Sequence, residues 1–190
     1  MKAEVPAAAV LSDGYAIRPY RPEDAAALAS VETRASGLFA EYGFPSLVPN
    51  PPTTPQALHA FVSAHATFVV TEAEKGPVGY AVLHPLDRFL HLRELAVDPD
   101  HGRRGLGSAL VRLAIAKCVE EGRAGVSLST FRGLPFNEPF YAVHGFIEYP
   151  LNEAPPPLAR QFFAELPPGI SPETRLLMLR WTDAGSVQFS

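Results

Sequence analysis

The sequence predicts an α/β fold in which a mixed central sheet carries helices on both faces, and three observations predict it. Apolar runs of strand length alternate with segments of helical periodicity. Clusters of Gly, Pro and Asn punctuate them. The sharpest alternation is an apolar run ending at Val97, which passes through an Arg- and Gly-rich turn into an amphipathic helix. With 190 residues, 47% hydrophobic and 19% charged, the chain is long enough for one sizeable core and too short to expect two. The expectation is a single domain over 1–190, with its core at about 15–149 and a C-terminal extension and last strand over 150–181.

Each element has its own signal. Tyr15–Pro19 reads as a first strand, and Pro22-Glu23-Asp24 opens a helix, with Pro early and acids in its first turn, that runs to about Thr33. From Gly37 to Pro55 the chain is dense in Pro and aromatic residues, before Thr54-Pro55 starts a second short helix. Strands follow at Thr67–Thr71, Val78–Leu83 and Leu90–Val97, the first two joined by a turn at Glu74–Pro77. Leu106, Leu110, Leu113 and Ala114 form one apolar face of a helix ending near Gly122. Val126–Thr130 is a fifth strand, Phe136–Val143 a short helix and Phe146–Tyr149 a sixth strand. A Pro-rich connection from Pro150 to Pro172 leads to a last strand at Arg175–Trp181.

Composition narrows the class of function. A net charge of -4 argues against general nucleic-acid binding, which needs a basic face. No run approaches the ~18 apolar residues of a membrane span, so no membrane association is expected. The single Cys118 rules out an intrachain disulfide and favours a reducing compartment, which makes the expected location cytoplasmic. The scattered histidines show no metal-ligand spacing, so no metal is expected.

The turn from Asp98 to Ser108 reads as an anion cradle. The first amides of a helix lack intrahelical acceptors and sit at the positive end of its dipole, and Arg103 and Arg104 add charge. Two common phosphate loops do not fit. A P-loop needs Lys between its last Gly and the Ser or Thr, but Ser108 follows Gly107 directly. The dinucleotide fingerprint needs a third Gly where Leu110 stands.

What remains resembles the acetyl-CoA loop of the GCN5-related N-acetyltransferases, the GNAT superfamily. Gly105 and Gly107 fill the small positions of that loop, while its leading Gln or Arg falls on Gly102, a departure from the pattern. Downstream, Asn137-Glu138-Pro139-Phe140-Tyr141-Ala142-Val143-His144-Gly145-Phe146 is similar to the superfamily's Asn...Tyr-x-x-x-Gly-Phe signature, as in its small bacterial members. The resemblance covers roughly Tyr15 to Tyr149. It implies the GNAT fold, with the central sheet splayed between its fourth and fifth strands, here 90–97 and 126–130.

The resemblance also implies an activity, acetyl-CoA-dependent N-acetyl transfer to a primary amine of a small molecule or peptide by direct attack in a ternary complex. Acetyl-CoA is then the cosubstrate, and the protein a monomer or homodimer. The cofactor-binding residues implied are Leu95, Ala96 and Val97, Gly102, Arg103, Arg104, Gly105, Leu106, Gly107 and Ser108, with Asn137 and Tyr141. Leu95 and Val97 contribute backbone groups, their side chains belonging to the core. Asn137 suits a helix cap equally well.

The chemistry makes three demands. An alkylammonium with a pKa near ~10.4 is a nucleophile in only about one molecule in a thousand at neutral pH, so a proton acceptor is needed. The oxyanion needs a preorganised donor, for which the amide near Val97 is the candidate. The departing thiolate gains from an acid, which in the superfamily is the Tyr at the position of Tyr141. His91 is the first candidate base, because several members place theirs at its position and imidazole titrates in the right range. Glu94 is the second, acting through water. Relatives with a Glu on the fifth strand offer no third, since this chain has Ser129 and Thr130 there. For the acceptor, Glu32, Phe39 and Tyr42, with Arg34, Glu41 and Phe44 nearby, are the candidate lining residues. The competing reading is a non-catalytic acyl-CoA-binding sensor or interaction domain; Tyr141 and the strand-borne bases favour an enzyme.

Overall fold

A computed structural model describes residues 9–11 and 14–183. Strand order across the sheet is β1-β2-β3-β4-β5-β6-β8-β7. The strands are β1 (Ala9–Val10), β2 (Tyr15–Pro19), β3 (Ala66–Glu72), β4 (Gly76–Leu86), β5 (Phe89–Val97), β6 (Gly125–Phe131), β7 (Ile147–Tyr149) and β8 (Arg175–Trp181). Helices α1 (Ala25–Glu41), α2 (Pro55–Ser63), α3 (Leu106–Glu120), α4 (Glu138–Ala142) and α5 (Pro156–Ala164) flank the sheet, giving the mixed α/β architecture expected. The chain divides into two compact units, one running to Leu83 and including Glu94–Leu110, the other made of His84–Arg93 and the chain from Val111.

In the first unit β1 to β4 are successively antiparallel, with Ile17 opposite Val70 and Val69 opposite Tyr80. One core holds Leu28 and Val31 of α1, Leu58 and Val62 of α2, and Val69, Tyr80, Val82 and Ala96 of the sheet. The apolar residues of β4 that share this face recur every second position, as strand geometry requires. Asp24 anchors the entry to α1: its carboxylate, 3% exposed, accepts from both terminal nitrogens of Arg18 at 2.6 and 2.7 Å and from the Arg21 amide at 2.8 Å. Thr54 caps α2, its hydroxyl accepting from the Ala57 amide.

Helix α1 continues past Thr33 to Glu41, so Gly37 and Phe39 lie within it. Two residues beyond its end stands Gly43, whose φ of 88° only glycine adopts readily. The Gly43 amide donates to the Ala40 carbonyl and the Phe44 amide to the Phe39 carbonyl, the paired bonds of a Schellman ending.

In the second unit β8 pairs antiparallel with both β6 and β7. The parallel ladder between β5 and β6 has three pairs, from Phe89 opposite Gly125 to His91 opposite Ser127. The core contains Phe89, Leu158, Phe162, Leu177 and Leu179. Leu158 and Phe162 belong to α5, a helix inside the stretch expected to be only a Pro-rich connection. Pro156 starts it, where the missing N–H costs nothing, and the four-residue spacing of Leu158 and Phe162 buries one face.

Candidate active site

The cradle lies wholly within the first unit. Asp98 follows β5, its amide donating to the Val78 carbonyl at 2.8 Å, and its carboxylate accepts from the Asp100 amide at 2.9 Å. Arg103 and Gly105 both have positive φ, 58° and 77°, and so reverse the chain twice in three residues before α3 begins. The Ala109 amide makes the first helical bond, to the Gly105 carbonyl, so the Leu106, Gly107 and Ser108 amides precede that ladder in the first turn. A methyl group on Gly105 would meet nothing within 4 Å, which leaves this backbone open to a bulky anion. At Gly102 a Cβ would lie 3.0 Å from the Pro99 carbonyl oxygen. The tight turn therefore explains why this chain has no side chain where the superfamily pattern begins with Gln or Arg.

The turn is tied down on three sides. Arg104 donates to the Tyr15 hydroxyl at 2.8 Å and to the Asp100 carbonyl. Arg34 of α1 meets Asp100 at 2.6 Å and Asp98 at 3.3 Å, and is therefore engaged with the turn. His101 Nε2 lies 3.0 Å from Glu72. Leu95 and Val97 are half-buried rather than buried, while Ala96, on the opposite face of β5, joins the core.

Glu94 shares the face of Ala96 by strand alternation and is half-buried, with Oε1 accepting from the Leu95 amide at 3.2 Å. Burial first, then the charges of Glu94 and Glu32, push the Tyr80 hydroxyl well above its ordinary pKa. The Glu32 carboxyl is also raised by burial, with a hydrogen bond from Thr53 opposing the shift. Phe39 is half-buried two turns further along α1, and Tyr42 is 46% exposed at its C-terminus.

His91 has a different setting, in the second unit. It is fully buried, and both ring nitrogens are engaged: Nδ1 with the Ser127 hydroxyl at 2.9 Å and Nε2 with the Glu165 carboxylate at 3.1 Å. Glu165 follows α5 and also accepts from Gln161 at 2.8 Å. Burial alone would raise its pKa, but the hydrogen bond and charge of His91, together with Gln161 and Arg175, hold it below the usual carboxylate value. The sequence reading missed Glu165 because it lies in the stretch taken as a connection, 74 residues from His91.

Tyr141 and Asn137 also lie in the second unit. The Tyr141 ring packs edge-on against Phe140 and Phe146, with centroids 5.0 and 5.9 Å away, and its amide donates to the Asn137 carbonyl. Asn137 occupies the N-cap position of α4 and is 8% exposed, but its side chain makes no capping bond. Gly145, at φ 82°, ends this segment, and Phe146 is buried. Among the described residues no group of three or more His, Cys, Asp or Glu is placed to hold a metal ion.

Residues 35–146 match the profile of the acetyltransferase (GNAT) family. That is more than half of the chain, and the chain belongs to this family. Solved structures share its fold. The PaiA N-acetyltransferase of Thermoplasma acidophilum, in complex with coenzyme A, aligns over 88% of this chain and 99% of its own with a TM-score of 0.66 at 15% identity. A GCN5-related N-acetyltransferase from Rhodopseudomonas palustris covers 92% and 99%, with a TM-score of 0.67 at 20% identity. Ard1 from Thermoplasma volcanium covers 90% and 99%, with a TM-score of 0.63 at 22% identity. No described helix is long and apolar enough to cross a membrane.

Proposed function

We propose that this chain, acting as one acetyltransferase domain in the cytoplasm, transfers the acetyl group of acetyl-CoA to a primary amine by direct attack in a ternary complex. The observation that carries this reading is the cradle: an open, twice-reversed backbone at Arg103 and Gly105 leading into the first turn of α3. Such a turn offers aligned amides to a pyrophosphate. The residues that would hold the cosubstrate are the backbone of Leu95, Ala96 and Val97, the turn Gly102–Ser108, Asn137 and Tyr141. When bound, acetyl-CoA supplies an activated thioester.

The chain's own residues do the rest. Glu94 is assigned as the proton acceptor, through water, because it is a half-buried carboxylate in the second half of β5. His91, the other candidate, has both ring nitrogens occupied within the interior, and is assigned to holding β5, β6 and the end of α5 together. The Val97 amide is the donor for charge developing on the acetyl oxygen. Tyr141 is the acid for the departing sulfur, supported by its match to the family signature. Glu32, Phe39 and Tyr42 are assigned to the acceptor.

Thermal denaturation with acetyl-CoA, CoA, ATP and NAD tests the cosubstrate. Saturation at about a hundred times Kd stabilises by about 2.7 kcal/mol. Stabilisation by both CoA species and by neither nucleotide is expected. A shift with ATP or NAD alone refutes the reading.

A further inference from the structure

His101, in the turn that follows β5, stands between two carboxylates. Its Nε2 is 3.0 Å from Glu72 Oε2 at the end of β3, and its Nδ1 is 3.6 Å from Asp98 Oδ1. The side chain is 16% exposed, and Nδ1 is buried without a hydrogen-bond partner. A neutral imidazole has one N–H, and a carboxylate only accepts, so the Glu72 contact takes that N–H. The Nδ1 lone pair is then left buried and facing the Asp98 oxygen. An imidazolium has two N–H groups, one for each carboxylate, so the pair of contacts is complete only when the ring carries a second proton. Around the ring, Lys75 of the β3–β4 turn lies 3.1 Å from Glu72, and Arg34 of α1 pairs with Asp98 and Asp100. The Tyr15 ring of β2 meets His101 edge-on, with centroids 6.2 Å apart, and its hydroxyl accepts from Arg104. The hydrogen bonds from Lys75 and His101 hold the Glu72 carboxyl below its ordinary pKa, so it stays charged where imidazole titrates. A neutral His101 therefore leaves three carboxylates, Glu72, Asp98 and Asp100, in or against the turn assigned to a pyrophosphate.

We propose that His101 is a positioning residue for acetyl-CoA, and that a proton on its ring strengthens cosubstrate binding by closing the contact to Asp98 and countering the acidic groups of the turn. The proposal rests on the acetyl-CoA reading above and adds a regulation to the same cradle. An incoming pyrophosphate is repelled by the carboxylates and attracted by an imidazolium, so it binds the protonated form better. Binding and protonation are then linked, each favouring the other by the same factor. The sign follows. Affinity is highest below the pH at which the free ring loses its proton, and it falls as pH rises until the ring of the complex has lost its proton too.

Calorimetric titration of the full chain with CoA, from about pH 5.5 to about pH 8.5 at constant ionic strength, tests this with the wild type, His101→Gln and His101→Lys. Gln keeps an N–H for Glu72 and never gains a charge, whereas Lys carries one throughout the range. The 3′-phosphate of CoA itself titrates here, but equally for all three proteins, so affinities are compared as ratios at each pH. The advantage of the wild type over His101→Gln should grow about fivefold from the alkaline to the acid end. Relative to the wild type, His101→Lys should gain by a similar factor in the opposite direction. A ratio of wild type to His101→Gln that is constant, or that grows with pH, overturns the proton linkage while leaving CoA binding in place. Absence of CoA binding to the wild type at every pH overturns the acetyl-CoA reading and this proposal with it.

Discussion

Gly79 of β4 is the position where one added methyl group tests both packing and function. An ideal Cβ there would lie 2.9 Å from the Ala96 carbonyl oxygen, 3.2 Å from a Val97 methyl and 3.3 Å from the Val97 Cα. Two of these atoms are backbone, so the end of β5 must shift rather than a side chain swing aside. Overpacking of this kind costs roughly 1–3 kcal/mol. Against it stands a gain of about 0.5–1 kcal/mol from replacing Gly with Ala in a strand. The net for Gly79→Ala is then a loss of up to about 2.5 kcal/mol, or a Tm lower by up to roughly 10 °C for a chain of this size. Because the displaced segment is the Ala96–Val97 backbone assigned to acetyl-CoA, the Kd for acetyl-CoA should rise as well. Differential scanning calorimetry and a binding titration read the two effects. An unchanged or raised Tm with wild-type affinity would show that β5 accommodates the methyl and that the packing argument is wrong.

Other perturbations address separate parts of the molecule. Asp24→Ala removes a buried carboxylate that holds Arg18 and the Arg21 amide, and should cost about 2–4 kcal/mol by chemical denaturation. A loss under 1 kcal/mol, about the worth of an exposed pair, would refute this anchoring role. The depressed pKa of Glu165 contributes stability that is present above the unfolded carboxylate value near ~4.3 and is lost as pH falls through the lower folded value. Glu165→Gln should therefore flatten the acid limb of Tm against pH, and parallel profiles would contradict the buried pairing with His91. Tyr141→Phe should slow turnover by about 10²-fold with acetyl-CoA affinity nearly intact, and weakened binding at unchanged turnover would remove its assigned role. Glu94→Gln should lower kcat, and a full-rate variant would exclude Glu94 as the proton acceptor.

The elements legible in the sequence were those whose signal is local. β8 announces itself by its apolar run from Leu176 to Leu179, α2 by Thr54-Pro55, and the cradle by its glycines and arginines. Boundaries set by tertiary contact were harder. Gly37 and the aromatic residues after it suggested an early end to α1, but the stop signal was Gly43, whose left-handed backbone closes a Schellman ending. Helix α5 was hidden by consecutive prolines that in fact start it, with Leu158 and Phe162 as its periodic signal. The environment of His91 could not be read from β5, because parity places a side chain on a face without saying what covers it. Ser127 and Glu165, which do so, are distant in sequence.

The most direct test of the central claim is incubation of the purified chain with acetyl-CoA and a panel of primary amines, following free thiol and product mass together. The account predicts amine-dependent thiol release matched one for one by an N-acetylated amine. Thiol release that does not depend on amine, or tight acetyl-CoA binding with no acetylated product from any amine in the panel, would contradict it.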